Sequence, residues 1–427
     1  MRICILTPGA LGSNPRVVKE AQALSTAGHS ITVISTRTLD LVDRRDDDVL
    51  VSATWRSHRL NLRRRAAAWR LKRVLQMVSS QAFRLTGIES FADFGFSAFT
   101  GPINEAATRV QAELYLAHYP AALPAAARAA RRYKALYAFD AEDFHLGDAP
   151  EGPGHHNARQ MLRAIEDRYL PGCAYVTAAS PGIADAYVDA YGIARPTVVL
   201  NVFPCDQAPK HPTPRGTAAP GPSVYWFSQT IGPERGLECA VRAIGLAQSR
   251  PHLYLRGTPA AGFLDRLRTI AAEVCAADRL HVLPPAAPSE MVRLAAVYDL
   301  GLVGEAGYTQ NRGIALTNKQ FTYLLAGIPA VMTGIPAHRD FVVDGEARGA
   351  VRLYPVDNPS GLATALDTLL GDAASLAAAR AAAWQVGQKR FNWDIEQESL
   401  LGCVSAAFDL YARSKKRHSH TEAGTGI

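Results

Sequence analysis

Apolar and polar positions alternate along the first half of this chain in a way that predicts β-strands joined by helices. The β-rich apolar runs are short, and amphipathic helical patterns lie between them. Alternation of this kind predicts a parallel sheet with helices on both faces. The predicted strands are 2–8, 31–35, 113–117, 135–139, 174–178 and 197–200, and the helices between them include 15–27, 121–133, 157–170 and 182–191.

The same alternation starts again after a stretch rich in Pro, Gly and small residues, which predicts an interdomain linker. Two doubly wound halves would leave a ligand cleft between the carboxyl-terminal edges of their sheets. We therefore predict an α/β protein with an N-terminal domain over 1–204, a linker over 205–222, a C-terminal domain over 223–390, a last helix over 391–412 and a disordered tail over 413–427.

The stretch 299–331 carries the clearest chemical signal. It predicts a buried strand, a polar loop, a helix opened by Thr317-Asn318-Lys319 and ended by Gly327, and a second apolar strand. A helix N-terminus offers unpaired N–H groups and the positive end of a dipole. With Lys319 beside that end, the stretch predicts a site for a diphosphate. A capped core helix with one exposed lysine would give the same pattern.

Composition and cysteine use set limits on the class of protein. Of the 427 residues, 48% are apolar and 20% are charged, as in soluble globular proteins. The six cysteines are scattered without a CxxC pair, which argues against a zinc site or a disulfide framework and favours a reducing, cytoplasmic compartment. We see no signal peptide at the start and no apolar run long enough to span a bilayer.

The positive charge of the chain is local. The formal net charge is +7, but nine Lys and Arg residues and no acidic residue lie between Leu50 and Ile88, so the rest of the chain carries −2. Within 54–84, an amphipathic helical pattern accompanies these charges. Such a helix could rest on an anionic membrane surface, or it could pack on its own domain with a solvated face. We expect no nucleic-acid partner, because no recognised module is present.

Short motifs in a fixed order link the chain to a known family. In the first half they are residues 13–29, similar to DPRVxxEAxxLxxAGH; His118-Tyr-Pro120, similar to H-x-P; Phe139–Asp143, similar to YDAHE; Glu166–Tyr169, similar to an E-R helix; and Asn201–Pro204, similar to a PN turn. In the second half they are Phe227–Leu237, similar to GRLxxxKG(L/V) with Arg235 in place of the lysine; Asn318–Pro329, similar to NKLFEYLAAGxP; and Phe391–Trp393, similar to FSW.

Over roughly residues 1–410, these motifs resemble the retaining, family-4-like glycosyltransferases of the GT-B fold. The resemblance implies two Rossmann-like doubly wound domains that face each other across a cleft, with a C-terminal helix that crosses back. It also implies transfer of a sugar from a nucleotide-sugar donor to a glycan or lipid-linked saccharide acceptor, with retention of configuration. Peripheral contact with a membrane would suit such acceptors.

The resemblance and the charge chemistry together give the candidate site residues. A diphosphate leaving group calls for preorganised positive groups, and no carboxylate or His cluster has metal-ligand spacing, so we expect no metal or other cofactor. The catalytic candidates are His118, Arg235 and Lys319; the donor-binding candidates are Gly12, Ser228, Arg235, Glu305, Thr317, Asn318 and Lys319; the acceptor-side candidates are Asn14, Arg16, Asp140 and Glu142.

Each candidate also has a purely structural interpretation. His118 could be a packed histidine, and the carboxylates after residue 139 could simply be solvated. The loop that contains Gly12 is not a GxGxxG motif and could be a bare turn.

One position departs from the family pattern. Many relatives carry two glutamates eight residues apart, and the second would fall at Thr322, with Ile314 eight residues before it. Glu305, earlier in the loop, could supply the missing carboxylate. Two alternatives therefore stay open: a nucleotide-sugar 2-epimerase of the same fold, and a catalytically degenerate nucleotide-binding or scaffold protein.

Overall fold

The structure is a computed structural model that describes residues 1–38, 40–63, 67–148, 154–212, 220–343 and 345–423. The chain divides into two compact units, the first formed by 1–199 with 397–427 and the second by 200–396. Part of the predicted linker, 213–219, lies outside the described residues, as do Arg64 and Arg65 of the basic segment and the last four residues of the predicted tail.

The first unit is built on a seven-stranded parallel sheet, which confirms the predicted α/β architecture. The strands are β1 (Arg2–Leu6), β2 (Ser30–Arg37), β3 (Arg56–Asn61), β4 (Leu114–His118), β5 (Leu136–Ala141), β6 (Val176–Ala178) and β7 (Thr197–Val198), in the order β3-β2-β1-β4-β5-β6-β7. The helices are α1 (Pro15–Thr26), α2 (Asp40–Val51), α3 (Ala67–Thr86), α4 (Glu89–Gly95), α5 (Thr100–Ala107), α6 (Leu123–Tyr133), α7 (His156–Tyr169) and α8 (Pro181–Tyr191).

The second unit repeats this plan with six parallel strands in the order β10-β9-β8-β11-β12-β13. The strands are β8 (Ser223–Ile231), β9 (His252–Pro259), β10 (Leu280–Leu283), β11 (Leu300–Val303), β12 (Ala330–Thr333) and β13 (Val351–Tyr354). The helices are α9 (Leu237–Leu246), α10 (Phe263–Glu273), α11 (Met291–Ala295), α12 (Gln310–Ile314), α13 (Asn318–Ala326), α14 (Pro336–Val343), α15 (Pro359–Leu370), α16 (Ala373–Lys389) and α17 (Trp393–Ala423).

The last helix connects the two units. α17 begins in the second unit, and from Gln397 onward its residues belong to the first. The helix runs through most of the segment for which the sequence predicts a disordered tail. That segment has few apolar residues, so no helical periodicity is visible in its sequence. Its Lys and Arg residues are nevertheless good helix formers.

Local sequence explains the elements that carry the candidate residues. α1 begins at Pro15 because Asn14 accepts a hydrogen bond from the N–H of Val17 at 3.2 Å, as predicted. β11 is buried on both faces, as expected for a central parallel strand. α13 ends at Gly327, whose φ of 73° lies in the left-handed region that favours glycine.

Among the described helices, none is by itself both long and apolar enough to cross a bilayer; one bent pair, Pro359–Leu370 with Ala373–Arg413, passes that test only when its two parts are taken together.

Gly387→Ala should loosen the packing of α16 on α13. An added Cβ would lie 2.6 Å from the carbonyl carbon of Leu324 and 2.8 Å from the Cα of Leu325, and backbone atoms cannot move aside. Overpacking of this kind costs about 1–3 kcal/mol, which opposes the ~1 kcal/mol that alanine gains over glycine in a helix. Hydrogen exchange of the α13 amides should therefore become faster.

Gly402→Ala is the matched control, because the same substitution in α17 meets no described atom within 4 Å. It should leave exchange unchanged or slower. If Gly387→Ala protects the α13 amides as well as Gly402→Ala does, the close helix packing is contradicted.

Candidate functional site

Two loops of the second unit touch at glycines. β8 and β11 pair in parallel, and the loops that follow them meet where Gly236, with a φ of 67°, lies against Gly304. A Cβ on either residue would collide with the backbone of the other loop, so the contact requires glycine. The adjacent residues Arg235 and Glu305 are thereby brought close enough to interact electrostatically.

A buried ion pair lies beside this contact. Lys319 Nζ donates a hydrogen bond to Glu305 Oε1 at 2.8 Å, and the two residues are only 5% and 7% exposed. Burial alone would raise the pKa of Glu305, but the Lys319 ammonium, and then Arg235, hold it below its usual value. The ammonium also lies 5.8 Å from the ring centre of Trp226, within cation–π range. An ammonium has three N–H donors, so the pair with Glu305 leaves donors for a ligand.

α13 begins at this ion pair without a side-chain cap. Thr317 occupies the N-cap position, but its hydroxyl donates to Gln320 Oε1 at 3.0 Å and accepts no hydrogen bond from the helix N–H groups. Within the described part of the chain, the N–H groups of Asn318 and Lys319 have no hydrogen-bond partner. Uncapped N–H groups and the helix dipole together form an anion-binding end. Thr317, Asn318 and Lys319, which the sequence predicts to bind a diphosphate, thus stand together with Glu305.

His338 belongs to the same group, although the sequence analysis missed it. Its Nδ1 lies 2.8 Å from the carbonyl oxygen of Thr333, the last residue of β12. Burial lowers the pKa of His338 to about 4, so the ring is neutral at pH 7. Its Nε2 is buried without a hydrogen-bond partner among the described residues. A histidine five residues after a buried strand end is the sequence signal that could have identified it.

Two other positions singled out from the sequence, Thr322 and Ser228, also lie in the second unit. Thr322 is fully buried, and its hydroxyl donates to the carbonyl oxygen of Asn318 at 2.8 Å. The side chain therefore satisfies its hydrogen bond within α13, and Glu305 supplies the carboxylate that contacts Lys319. Ser228 lies half-buried in β8, at the register shift between Phe227 and Thr230.

A pocket of about 440 Å³ opens beside the start of α9. Its acidic lining, Glu234, Glu238 and Asp357, is unsuited to a diphosphate, because like charges repel. Arg266 lies 3.5 Å from Glu238 and partly neutralises the pocket. The cationic group around Lys319 is therefore better suited to a diphosphate than this pocket, which suits hydroxyl groups that donate to carboxylates.

In the first unit, two predicted acceptor-side residues form a buried charge cluster. Arg16 holds Asp140 with two hydrogen bonds, from Nε to Oδ2 at 2.7 Å and from Nη2 to Oδ1 at 2.6 Å, and its Nη1 donates to the carbonyl oxygen of Val199 at 2.7 Å. Thr177 donates its hydroxyl to Asp140 Oδ1 at 2.5 Å. Burial alone would raise the pKa of Asp140, but Arg16, and then His118, hold it well below the usual range.

His118 completes the cluster as a buried cation. Its Nε2 lies 3.0 Å from Glu20 Oε2 and its Nδ1 lies 3.3 Å from Asp140 Oδ2, at ion-pair distances without hydrogen-bond alignment. Burial opposes protonation of His118, but the two carboxylates outweigh it and raise the pKa to about 10. The imidazolium is 1% exposed.

The structure therefore differs from the expectation that His118, Arg16 and Asp140 face a sugar or acceptor. All three side chains lie inside the first unit, and together with Glu20 they form a set of two cations and two carboxylates whose charges balance. Asn14, also expected on the acceptor side, is 4% exposed and serves as the N-cap of α1. Gly12, expected to bind the donor, donates its N–H to Asp46 Oδ1 at 2.7 Å and is pressed against α2.

Glu142 is the acceptor-side candidate that remains partly accessible. It follows the carboxyl end of β5 and accepts a hydrogen bond from the hydroxyl of Tyr119 at 3.2 Å. Burial raises the pKa of Glu142 to about 7, so the carboxyl group can take up or release a proton near neutral pH. Tyr119 has a φ of 68°, which is uncommon for a non-glycine residue.

One group of side chains has the composition of a metal site. Among the described residues, Glu20, His118 and Asp140 place possible ligand atoms within 4.8 Å of one another. Arg16, however, lies 2.6 Å from Asp140 and 3.4 Å from Glu20. Because its guanidinium already stands where a cation would bind, the donor set fits an internal ion network and not a metal ion.

Comparison with known proteins adds one relative. No protein-family model matches the chain. D-inositol 3-phosphate glycosyltransferase of Nocardia farcinica is 28% identical over 277 residues, which are 61% of this chain and 57% of the relative. The chain thus matches a little over half the length of that relative.

Solved structures match over nearly the whole chain. HepE of Anabaena, in complex with UDP-glucose, has a TM-score of 0.69 at 15% identity and covers 95% of this chain and 100% of its own. Sucrose-phosphate synthase of Thermosynechococcus elongatus has a TM-score of 0.64 at 12% identity and covers 98% of this chain and 100% of its own. TarM of S. aureus, in complex with fondaparinux, α-GlcNAc-glycerol and UDP, has a TM-score of 0.65 at 8% identity. The match covers 94% of this chain and 99% of the TarM chain. At such identities the matches establish the fold, and they confirm the predicted GT-B fold.

Asp140→Asn should strongly destabilise the first unit, because Arg16 would keep its buried charge and lose its charged partner. Breaking a buried ion pair in this way costs about 3–5 kcal/mol, measurable by urea denaturation. Asp185→Asn is the matched control: its pair with Arg195 has the same 2.7 Å distance but is exposed on both sides, and should be worth about 0–1 kcal/mol. Equal losses for the two variants would contradict the buried network.

His118→Gln should destabilise the protein in a pH-dependent way. The folded pKa of about 10 lies above the reference value of 6.5, so protonated His118 stabilises the fold fully below pH 6.5. That contribution is lost as the pH rises toward 10. The difference in unfolding free energy between wild type and variant should therefore shrink across this range, whereas a constant difference would show that His118 is not charged in the cluster.

Proposed function

We propose that this chain is a glycosyltransferase that moves a sugar from a nucleotide-sugar donor to a glycan or lipid-linked saccharide acceptor with retention of configuration. The observation that carries the proposal is the buried Lys319–Glu305 pair at the uncapped start of α13. Two likenesses support it: the relative from Nocardia farcinica is named a glycosyltransferase, and HepE, which shares the fold, was solved with UDP-glucose.

The second unit would bind the donor and assist departure of its leaving group. As the bond from the sugar to the diphosphate breaks, negative charge grows on the phosphate oxygens. The Lys319 ammonium, the first N–H groups of α13 and the neighbouring Arg235 guanidinium are preorganised positive groups that would stabilise this charge. Glu305 would keep Lys319 in place, since a free lysine side chain has many conformations. We propose on this basis that the reaction needs no metal ion.

The first unit offers an acceptor site at the carboxyl edge of its sheet. A pocket of about 370 Å³ follows the ends of β2 and β3 and is lined by Trp69, Phe96, Phe99 and Arg73, among others. Apolar walls with a few placed polar groups are typical of small-molecule sites, and a cation suits an acceptor that carries phosphate. Glu142 does not line this pocket but follows β5 at the same edge of the sheet; with its pKa of about 7, it would accept hydrogen bonds from acceptor hydroxyls there.

The place of action is also a proposal. All six cysteines are unpaired, which supports a reducing compartment such as the cytoplasm. A saccharide carried on a lipid would then be met at the inner face of a membrane.

Nucleotide binding should depend on the cationic group of the second unit. UDP, GDP or ADP, whichever is the base recognised, should raise the melting temperature of the wild type. Arg235→Ala and Lys319→Ala should each weaken the dissociation constant by roughly 10- to 100-fold, because a hydrogen bond to a charged group is worth about 1.5–3 kcal/mol. Arg293→Ala, an exposed arginine paired with Glu290 in the same unit, should change nothing.

A double variant separates binding from folding. Lys319→Met with Glu305→Gln removes both buried charges together, so neither partner is left unpaired. It should fold and lose nucleotide binding. If this variant and Arg235→Ala both bind nucleotide as the wild type does, the site assignment is wrong.

Incubation with nucleotide-sugar alone then tests the reaction, since a 2-epimerase would convert the donor without an acceptor, whereas a transferase should require one.

A further inference from the structure

Helix α3 of the first unit is attached to its domain by the less apolar of its two sides. The Trp69 ring packs on the Phe99 ring, with the two ring centres 5.2 Å apart. Gln76 donates a hydrogen bond to the carbonyl oxygen of Phe96 at 3.3 Å. One turn further on, Ser80 accepts a hydrogen bond from Asn157 at 2.9 Å. Polar side chains thus take part in the contact that normally buries the apolar face of an amphipathic helix.

The apolar side of α3 faces solvent. Leu71, Val74, Leu75, Val78 and Leu85 recur at helical spacing and lie on one face, which we name the α3 ridge. Each of these side chains is between 50% and 74% exposed. Ile88, which precedes α4, and Phe91 and Phe94 of α4 are exposed apolar residues as well. Contiguous patches of this kind mark interaction sites, in contrast to single exposed apolar residues.

Positive charge borders the ridge. Arg70, Arg73 and Arg84 each precede a ridge residue by one position, so all three lie along the same flank of the helix. α3 contains no acidic residue. On α4 the acidic residues are Glu89 and Asp93, and Asp93 is buried in an ion pair with Arg128.

We propose that the α3 ridge and its basic flank dock the protein onto an anionic lipid bilayer. The helix would lie in the plane of the interface over roughly 30 Å, with the ridge inserted among the acyl chains and the flank at the headgroups. The charge favours this occupant over a second copy of the chain. An anionic surface complements this flank, whereas a second copy of α3 would bring more positive charge and no acidic residue to pair with it.

This docking surface lies in the first unit, apart from the cationic group that would bind nucleotide. Membrane docking and the proposed sugar transfer can therefore be tested independently, and failure of one would not exclude the other. If both hold, the bilayer would bring the pocket at the ends of β2 and β3 close to acceptors carried on lipids, because α3 supplies Trp69, Arg73 and Gln76 to its lining.

Vesicle co-sedimentation tests the proposal with the full chain. The wild type should bind vesicles that contain phosphatidylglycerol, bind vesicles of pure phosphatidylcholine much more weakly, and lose affinity as salt is added. Arg70→Gln with Arg84→Gln should weaken binding by roughly 25-fold, because each basic residue near an anionic surface raises the affinity about fivefold. Leu75→Gln with Val78→Gln should weaken it on the order of tenfold or more.

Leu246→Gln provides the matched control, since Leu246 is a similarly exposed leucine at the end of α9 in the second unit. It should bind vesicles like the wild type. Circular dichroism and the nucleotide-induced thermal shift should be the same for all variants, which shows that they fold.

Three results would overturn the proposal. The first is absence of binding to anionic vesicles, and the second is binding that the ridge variant does not reduce. The third is a concentration-dependent dimer in sedimentation equilibrium that the ridge variant abolishes while vesicles have no effect, because a second copy would then be the occupant.

Discussion

The ion pair between Lys319 and Glu305 is the constraint on which the proposed nucleotide-binding group of this molecule depends. An ammonium in a nearly dry position is costly unless a carboxylate accompanies it. Glu305 reaches that position because the loops after β8 and β11 touch at Gly236 and Gly304, which admit no side chain. A lysine held in this way is a fixed positive charge at the start of a helix, and a fixed charge needs no reorganisation when an anionic ligand arrives.

The two units use buried charge differently. In the first, the charges of Arg16 and His118 are neutralised by those of Asp140 and Glu20. The cluster is closed to solvent and joins α1, β4 and β5. In the second, the charges gather around a helix end whose N–H groups lack partners among the described residues. A closed network stabilises a fold, whereas an incomplete one can bind a ligand.

Sequence reasoning succeeded where periodicity and caps are strong, and failed where tertiary contacts decide. Alternation of strands and helices predicted both sheets. β3 was missed because it is an edge strand with little apolar character. Motif order drew attention to Lys319 and Glu305 but could not show that His118 is enclosed, because a histidine at a strand end looks the same in sequence whether it faces solvent or a carboxylate. His338 was missed because its partner is a backbone carbonyl.

A crystal structure with a nucleoside diphosphate would test the central claim most directly. We predict phosphate oxygens within hydrogen-bond distance of Lys319 Nζ and of the N–H groups of Asn318 and Lys319, with Glu305 still paired to the ammonium. A diphosphate bound elsewhere, with the start of α13 unoccupied and Lys319 in contact with Glu305 alone, would contradict it.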